Sequence, residues 1–200
     1  MPAVRVAKTI LPLLAAGWNI ACAQSETAPE FEYLRLENRS LVVTHTLASR
    51  FDMPAEYTPH PPTHRTARFN DVPFEISLSA FISEQETIMI HAEHVTDGSG
   101  ASNYDRFPAS DWPQANYRSP GASCQDVPAS VVAEEHDLAW LRERGFEPSG
   151  QIWLEQHFLS GNSYNDEIVV TLLIKGPDCS AESDAAERLA ALRARLMVEN

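Results

Sequence analysis

The chain has 200 residues and is acidic, with 28 Asp and Glu against 15 Lys and Arg and a formal net charge of −13. This charge disfavours nucleic acid as a partner, because binding phosphate requires positive charge. It disfavours adhesion to an anionic membrane for the same reason. The length is that of one domain that can bury a substantial core.

The first 23 residues have the pattern of a secretory signal peptide. Arg5 and Lys8 form a short basic head, an apolar run follows from Thr9 to Ala21, and the small residues Ala21-Cys22-Ala23 precede a polar segment. The run is shorter than the roughly 20 residues that a membrane span requires. We therefore expect residues 1–23 to be cleaved and residues 24–200 to be a single exported domain, periplasmic or secreted, with no membrane span.

Two alternatives remain open for this segment. Cys22 would carry a lipid anchor if the segment were a lipoprotein signal, although Asn19 stands where a leucine-like residue is expected. A buried N-terminal helix is the other alternative, which Pro12 and Gly17 disfavour.

Signal cleavage would leave two cysteines, Cys124 and Cys179. In an oxidising compartment an even pair predicts a disulfide, and closing a loop of about 55 residues would stabilise the fold by roughly 4 kcal/mol. Free thiols, or metal or redox chemistry, are the alternatives. Two thiols are too few for a structural zinc site without histidine, and their spacing is unlike Cys-x-x-Cys.

The N-terminal half of the exported part alternates between strand patterns and an irregular segment. Residues 31–36 and 41–47 are rich in β-formers and predict a hairpin. The proline-rich residues 51–72 predict an extended, irregular connection. Alternating apolar residues predict strands over 74–80 and 87–95, with a short helix as the competing interpretation of the second.

Residues 96–127 form the longest stretch without periodicity. Loops of this length are usually functional or disordered, and the aromatic residues here disfavour disorder. Trp, Tyr and Arg are the residue types that most often anchor interfaces. The candidate ligand-binding residues are therefore Asp97, Asn103, Tyr104, Asp111, Trp112 and Arg118. The alternative is that the aromatic residues only pack the loop onto the sheet.

The C-terminal part predicts two helices and two strands. A helix is expected over 128–144, ended by Gly145 in a left-handed conformation, and a second over 184–197, capped by Ser183. Residues 151–159 and 167–175 predict strands, the latter buried on both faces. The order of these strands and helices along the chain predicts an α+β fold, which is an antiparallel sheet of about five to six strands with two helices packed on it.

The sequence contains no clear metal or cofactor motif. His91 and His94 are the only close pair in a strand pattern, and an offset of three places them on opposite faces. We expect no metal there, with ligation by His91 and His94 as the alternative. A nucleophile elbow, a phosphate-binding loop and a dinucleotide fingerprint are all missing from the sequence, and we expect no cofactor.

Two functions from different classes are compatible with these patterns. The first is a non-enzymatic binding or accessory module that holds a protein or small-molecule partner with the loop at 96–127. The alternative is a hydrolase-like enzyme whose acidic residues converge in a cleft. An enzyme requires two or more ionisable groups within reach of one point, whereas a binding module requires a surface patch around Trp112.

Overall fold

The computed structural model describes residues 31–112 and 116–199. The predicted signal peptide, and with it Cys22, lies outside the described residues. In chain order the elements are β1 (Leu34–Glu37), β2 (Ser40–Val43), β3 (Ser49–Asp52), β4 (Thr58–Pro59), β5 (Thr63–Phe69), β6 (Val72–Ile82), β7 (Glu86–Val95), β8 (Ala122–Val127), α1 (Ala129–Glu134), α2 (His136–Glu143), β9 (Gly150–Ser160), β10 (Asp166–Lys175), α3 (Glu182–Arg195) and β11 (Met197–Glu199).

The strands form two antiparallel sheets. The larger sheet has seven strands in the order β4-β6-β7-β10-β9-β8, with β5 also paired to β6. The smaller sheet has four strands in the order β1-β2-β3-β11. None of the helices within the described residues is long and apolar enough to cross a membrane.

β10 is the centre of the fold. Every residue of this strand except Lys175 is buried, because it pairs with β7 on one side and β9 on the other and is covered on both faces. Ile168, Val170 and Leu172 face the smaller sheet and α3, where they pack in one core with residues such as Leu189. The sequence prediction of a strand with two covered faces is confirmed.

The opposite face of the large sheet is covered by α2 and the turn that follows it. Trp140, Leu141 and Phe146 pack there against Leu78 and Leu173. The chain leaves α2 through Gly145 with a φ of 93°, a conformation in which a residue without Cβ is favoured. This predicted left-handed cap is confirmed.

The prediction of one continuous helix over 128–144 is wrong. Glu135 has an extended conformation with ψ at 119°, so the segment forms two short helices. The break accompanies the placement of Asp137 at the start of α2, where its carboxylate lies 3.0 Å from Arg65 of β5. The last helix also begins earlier than expected, since Ser183 lies inside α3 and Ala181 occupies the N-cap position.

The expected single sheet of five to six strands with two helices is also corrected. The described residues contain eleven strands in two sheets and three helices. The segment 51–72 holds half of β3 and all of β4 and β5, and the loop at 96–127 ends in β8. These strands are short or polar, so they lack the long alternating apolar pattern that reveals a half-buried strand. The predicted hairpin at the N-terminal end is present as β1 and β2.

The predicted disulfide joins Cys124 to Cys179, with the two Cα atoms 5.5 Å apart. Cys124 lies within β8 rather than directly before a helix. Cys179 precedes α3. The bond therefore ties the edge of the large sheet to the segment that leads into the last long helix.

Candidate ligand-binding site

The middle of the long loop, at residues 109–110 and 117–118, is folded back onto the end of β9. Arg118 and Phe158 exchange two backbone hydrogen bonds, each 2.8 Å long. The backbone N–H of Ser110 donates to the carbonyl of Tyr117 at 2.8 Å, and Ala109 pairs with Arg118. This stretch of the loop therefore continues the edge of the large sheet beyond β8.

Aromatic stacking fixes the loop on the face of the large sheet that α2 covers. The ring of Tyr104 lies 4.2 Å from the ring of Phe158 in a stacked arrangement, and Phe107 lies 5.7 Å from Phe158. The guanidinium of Arg106 covers Phe107 at 4.5 Å. Such contacts contribute stabilising energy in addition to that of the apolar area they bury. They hold the ring of Tyr104 in place.

Hydrogen bonds also join the loop to the turn between β9 and β10. The backbone N–H of Gly100 donates to the side chain of Asn165 at 2.8 Å, and that of Ser102 donates to the carbonyl of Tyr164 at 3.0 Å. The hydroxyl of Ser160 donates to the carbonyl of Ser102. The loop and the turn are thus two walls held at a fixed separation.

A pocket of about 260 Å³ lies between these walls. It is open to solvent on one side and its lining is mainly polar. The loop and the β9–β10 hairpin contribute its lining residues, which are Tyr104, Asp105, Asn116, Arg118, Phe158, Leu159, Ser160, Gly161, Asn162 and Tyr164.

Three of these side chains place charge and hydrogen-bonding groups at the opening. The hydroxyl of Tyr164 donates to the carboxylate of Asp105 at 2.8 Å. Arg118 lies 3.8 Å from the other oxygen of Asp105 and its side chain is 39% exposed. Its guanidinium therefore keeps donors free to meet a ligand.

Behind the stacked Tyr104 lies a pair of buried carboxyl groups. Glu93 of β7 and Glu167 of β10 are direct partners across the two strands, with exposures of 7% and 2%. Burial and the neighbouring charge of Glu93 raise the pKa of Glu167 to about 8, and Tyr104 hydrogen-bonds to it. Glu167 therefore holds a proton at neutral pH, since two ionised carboxylates paired directly across neighbouring strands repel strongly.

His91 connects this pair to α2. Its Nδ1 lies 3.3 Å from Glu93 and its Nε2 lies 3.6 Å from Asp137. Burial lowers the pKa of His91, but the hydrogen bond to Glu93 and the charge of Asp137 outweigh burial and leave that pKa above its ordinary value. Burial raises the pKa of Asp137, yet His136, His91 and Arg65 together bring it well below its ordinary value.

The structure brings two of the six predicted ligand-binding residues, Tyr104 and Arg118, into the pocket. Asp97 and Asn103 serve local turns, where they accept hydrogen bonds from the backbones of Ser99 and Asp105.

The other two predicted residues lie on the opposite face of the sheet edge. Asp111 is exposed and lies 2.7 Å from Arg193. Trp112 is 3% exposed and stacks on Tyr117 at 4.8 Å. Its ring is therefore part of the core and not of the surface.

The two histidines weighed as metal ligands lie on opposite faces of β7. His91 contacts Glu93 and Asp137, whereas His94 lies 2.7 Å from Asp166. Within the described residues, no three or more His, Cys, Asp or Glu side chains are grouped so that they could hold a metal ion.

Sequence reasoning missed the hairpin side of the pocket, namely Ser160, Asn162 and Tyr164. Their turn-like composition carries no sign of a ligand, and only the tertiary fold brings Tyr164 to Asp105, 59 residues earlier in the chain. The pair of Glu93 and Glu167 left no such signal. Each lies on the less apolar face of a predicted alternating strand, where a polar residue is expected.

Comparison with known protein families, curated proteins and solved structures gave no match to this chain.

Proposed function

We propose that this protein is an exported binding module that captures a small, neutral, hydroxyl-rich ligand of monosaccharide size. The observation that carries the proposal is the polar pocket in which Arg118, Asp105 and Tyr164 meet beside the stacked rings of Tyr104 and Phe158. The pocket has two rigid walls, so little ordering of the protein would accompany binding.

The chemistry of the lining selects the class of ligand. Arg118 offers only donors, Asp105 offers only acceptors, and Asn116 and Asn162 offer both. A hydroxyl group donates and accepts at once, so a ligand with several hydroxyls satisfies this mixture. The net charge of −13 repels anions over long range, which favours a neutral ligand.

The size of the pocket supports the same conclusion. Sites for drug-sized ligands span about 300–1,000 Å³ and are lined mainly by apolar groups. The present pocket is smaller, at about 260 Å³, and its lining is more polar. Tyr104 and Phe158 line the pocket and provide one apolar wall for the carbon skeleton of a sugar ring.

The hydrolase alternative receives less support from the same residues. Acidic groups do converge at Glu93 and Glu167, but their exposures are 7% and 2%. Tyr104, whose hydroxyl interacts with Glu167, lines the pocket, whereas neither carboxyl group does. A substrate in the pocket therefore contacts Tyr104 and not the two carboxyl groups.

Chemical-shift mapping of the backbone amides tests the proposal. Glucose, galactose and N-acetylglucosamine are each titrated into ¹⁵N-labelled protein. We expect at least one sugar to shift the amides of Asp105, Gly161 and Tyr164 while leaving those of α3 in place.

The matched variants are Arg118→Ala and Arg106→Ala. Both remove an arginine from the same loop, but only Arg118 lines the pocket. We expect Arg118→Ala to weaken binding about tenfold or more, as for the loss of a hydrogen bond from a charged group. Arg106→Ala should bind as wild type does. Shifts that spread over the surface, or that persist unchanged in Arg118→Ala, would contradict the proposal.

A further inference from the structure

Ser110 lies against a buried histidine on the face of the large sheet opposite the pocket. Its Oγ is 2.8 Å from Nδ1 of His157, which belongs to β9. His157 has no exposed surface, whereas Ser110 is half-buried. Ser110 is therefore the more exposed member of this pair.

A carboxylate stands on the other side of the same imidazole. Glu155 precedes His157 by two residues on β9 and so shares its face. Its Oε1 is 3.6 Å from Nε2 of His157, and this nitrogen has no hydrogen-bond partner. Distances of this kind are common between catalytic groups before substrate binds and shorten afterwards.

The surrounding residues hold these three groups in place. Arg193 of α3 donates to Glu155 at 2.8 Å and to Asp111 at 2.7 Å, which links the last helix to the loop beside Ser110. The ring of Trp112 meets the imidazole edge-on at 5.2 Å. The backbone N–H of Trp112 donates to Oγ of Ser110 at 3.1 Å.

We propose that Ser110, His157 and Glu155 form a nucleophilic site that hydrolyses small, uncharged carboxylic esters. Ser110 is the nucleophile, His157 the general base and Glu155 the positioning residue. This activity goes beyond the proposed sugar-binding function and does not depend on it, because the two sites lie on opposite faces of the sheet.

The reaction balances with water as the only co-reactant. Oγ of Ser110 attacks the ester carbonyl carbon while Nδ1 of His157 takes the hydroxyl proton. The tetrahedral intermediate expels the alcohol, which receives that proton from His157. A water molecule, deprotonated by His157, then attacks the acyl group on Ser110, and the carboxylic acid leaves as the serine regains its proton.

The orientation of the imidazole is compatible with these roles. Either ring nitrogen accepts a proton, and which one does so is set by the hydrogen bond of the other. Here Nδ1 faces Ser110 and Nε2 faces Glu155. Burial raises the pKa of Glu155, but its interactions with the neighbouring His157 and with the guanidinium of Arg193 outweigh burial and leave that pKa below its ordinary value. Glu155 is thus ionised and stabilises the imidazolium that forms.

Labelling with a small alkyl fluorophosphonate, followed by peptide mass spectrometry, tests the assignment. We expect one phosphonyl group per chain on Ser110, none in Ser110→Ala, and unchanged labelling in Ser99→Ala, which alters an exposed serine of the same loop. Turnover of p-nitrophenyl acetate should also be lost in Ser110→Ala and kept in Ser99→Ala.

Glu155→Gln tests the positioning role separately. We expect labelling to slow by about tenfold or more and its pH profile to move, because the imidazole loses its ionised neighbour. Arg106→Ala, which alters an exposed arginine of the same loop outside both sites, should label as wild type does. Labelling at another residue, no labelling at all, or labelling of Ser110 without ester turnover would overturn the proposal.

Discussion

Glu93 and Glu167 lie side by side on β7 and β10, paired in register, and both carboxyl groups are buried. Two carboxylates in this position repel each other, so the folded protein retains a proton that the unfolded chain releases. The pair thereby links the stability of the fold to pH.

The first prediction concerns Glu167→Gln. The pKa of Glu167 rises from 4.5 to about 8 on folding, so its favourable contribution is complete below pH 4.5 and is lost as pH rises towards 8. Over this range the free energy of unfolding should fall by on the order of 4 kcal/mol. Glutamine stays neutral, so urea unfolding of the variant should lack this decline.

Glu147→Gln is the matched control, because Glu147 is exposed. It should follow the pH dependence of the wild type. If the free energy of unfolding of Glu167→Gln falls with rising pH as steeply as that of the control, the retained proton is not on the pair of Glu93 and Glu167.

The second prediction concerns Asp137, which joins α2 to Arg65 of β5 at 3.0 Å and to His91 of β7 at 3.6 Å. Its pKa is lowered, so its stabilising contribution is present above the ordinary aspartate pKa and is lost as pH falls through the folded value. At neutral pH we expect Asp137→Asn to lower the free energy of unfolding by about 2–3 kcal/mol, measured in urea. Asp126→Asn, an exposed position, should change it by less than about 0.5 kcal/mol. If Asp137→Asn and Asp126→Asn lowered the free energy of unfolding equally, the contacts of Asp137 with Arg65 and His91 would not be stabilising.

The third prediction concerns the disulfide, which closes a loop with a sequence separation of 55 residues. We expect the double variant Cys124→Ser with Cys179→Ser to lose roughly 4 kcal/mol of unfolding free energy. Wild-type protein kept reduced with dithiothreitol should lose the same amount, and dithiothreitol should not affect the variant. A variant as stable as oxidised wild type would show that the bond contributes little.

The fourth prediction concerns His45 in the turn after β2. Its Nε2–H donates to the carbonyl of Glu167 at 3.1 Å, and its Nδ1 accepts the N–H of Leu47 at 3.2 Å. Both nitrogens of the neutral ring are thus used, and burial lowers the pKa of His45 below 6.5. The stability from the neutral ring is complete above pH 6.5 and is lost as pH falls through the lower folded pKa. NMR titration should give His45 a lower pKa in the folded protein than in urea-unfolded protein. A higher pKa in the folded protein would contradict this prediction.

The sequence predicted the parts of the fold in which burial leaves a regular pattern. β6, β7, β9 and β10 were predicted because their apolar residues alternate along long strands. β5 was not, since Thr63–Phe69 is largely polar and pairs only with β6. Continuity of the helix over 128–144 failed at Glu135, where tertiary contacts of the next turn override helix propensity.

Sequence reasoning singled out residues on only one of the two walls of the candidate pocket. The loop at 96–127 stood out by its length and its aromatic residues, and Tyr104 and Arg118 do line the pocket. The facing wall is the turn that ends in Tyr164, and a turn has no periodicity that would relate it to a distant loop. Ser110 and His157 were missed for the same reason, because their contact spans 47 residues of chain.

Isothermal titration calorimetry shows whether the pocket beside Arg118 binds a small hydroxyl-rich ligand. The three monosaccharides are titrated into wild type, Arg118→Ala and Arg106→Ala. We expect saturable binding of at least one sugar at a ratio of one per chain, weakened about tenfold or more in Arg118→Ala and unchanged in Arg106→Ala. Absence of saturable binding to the wild type, or equal binding by both arginine variants, would overturn this binding function.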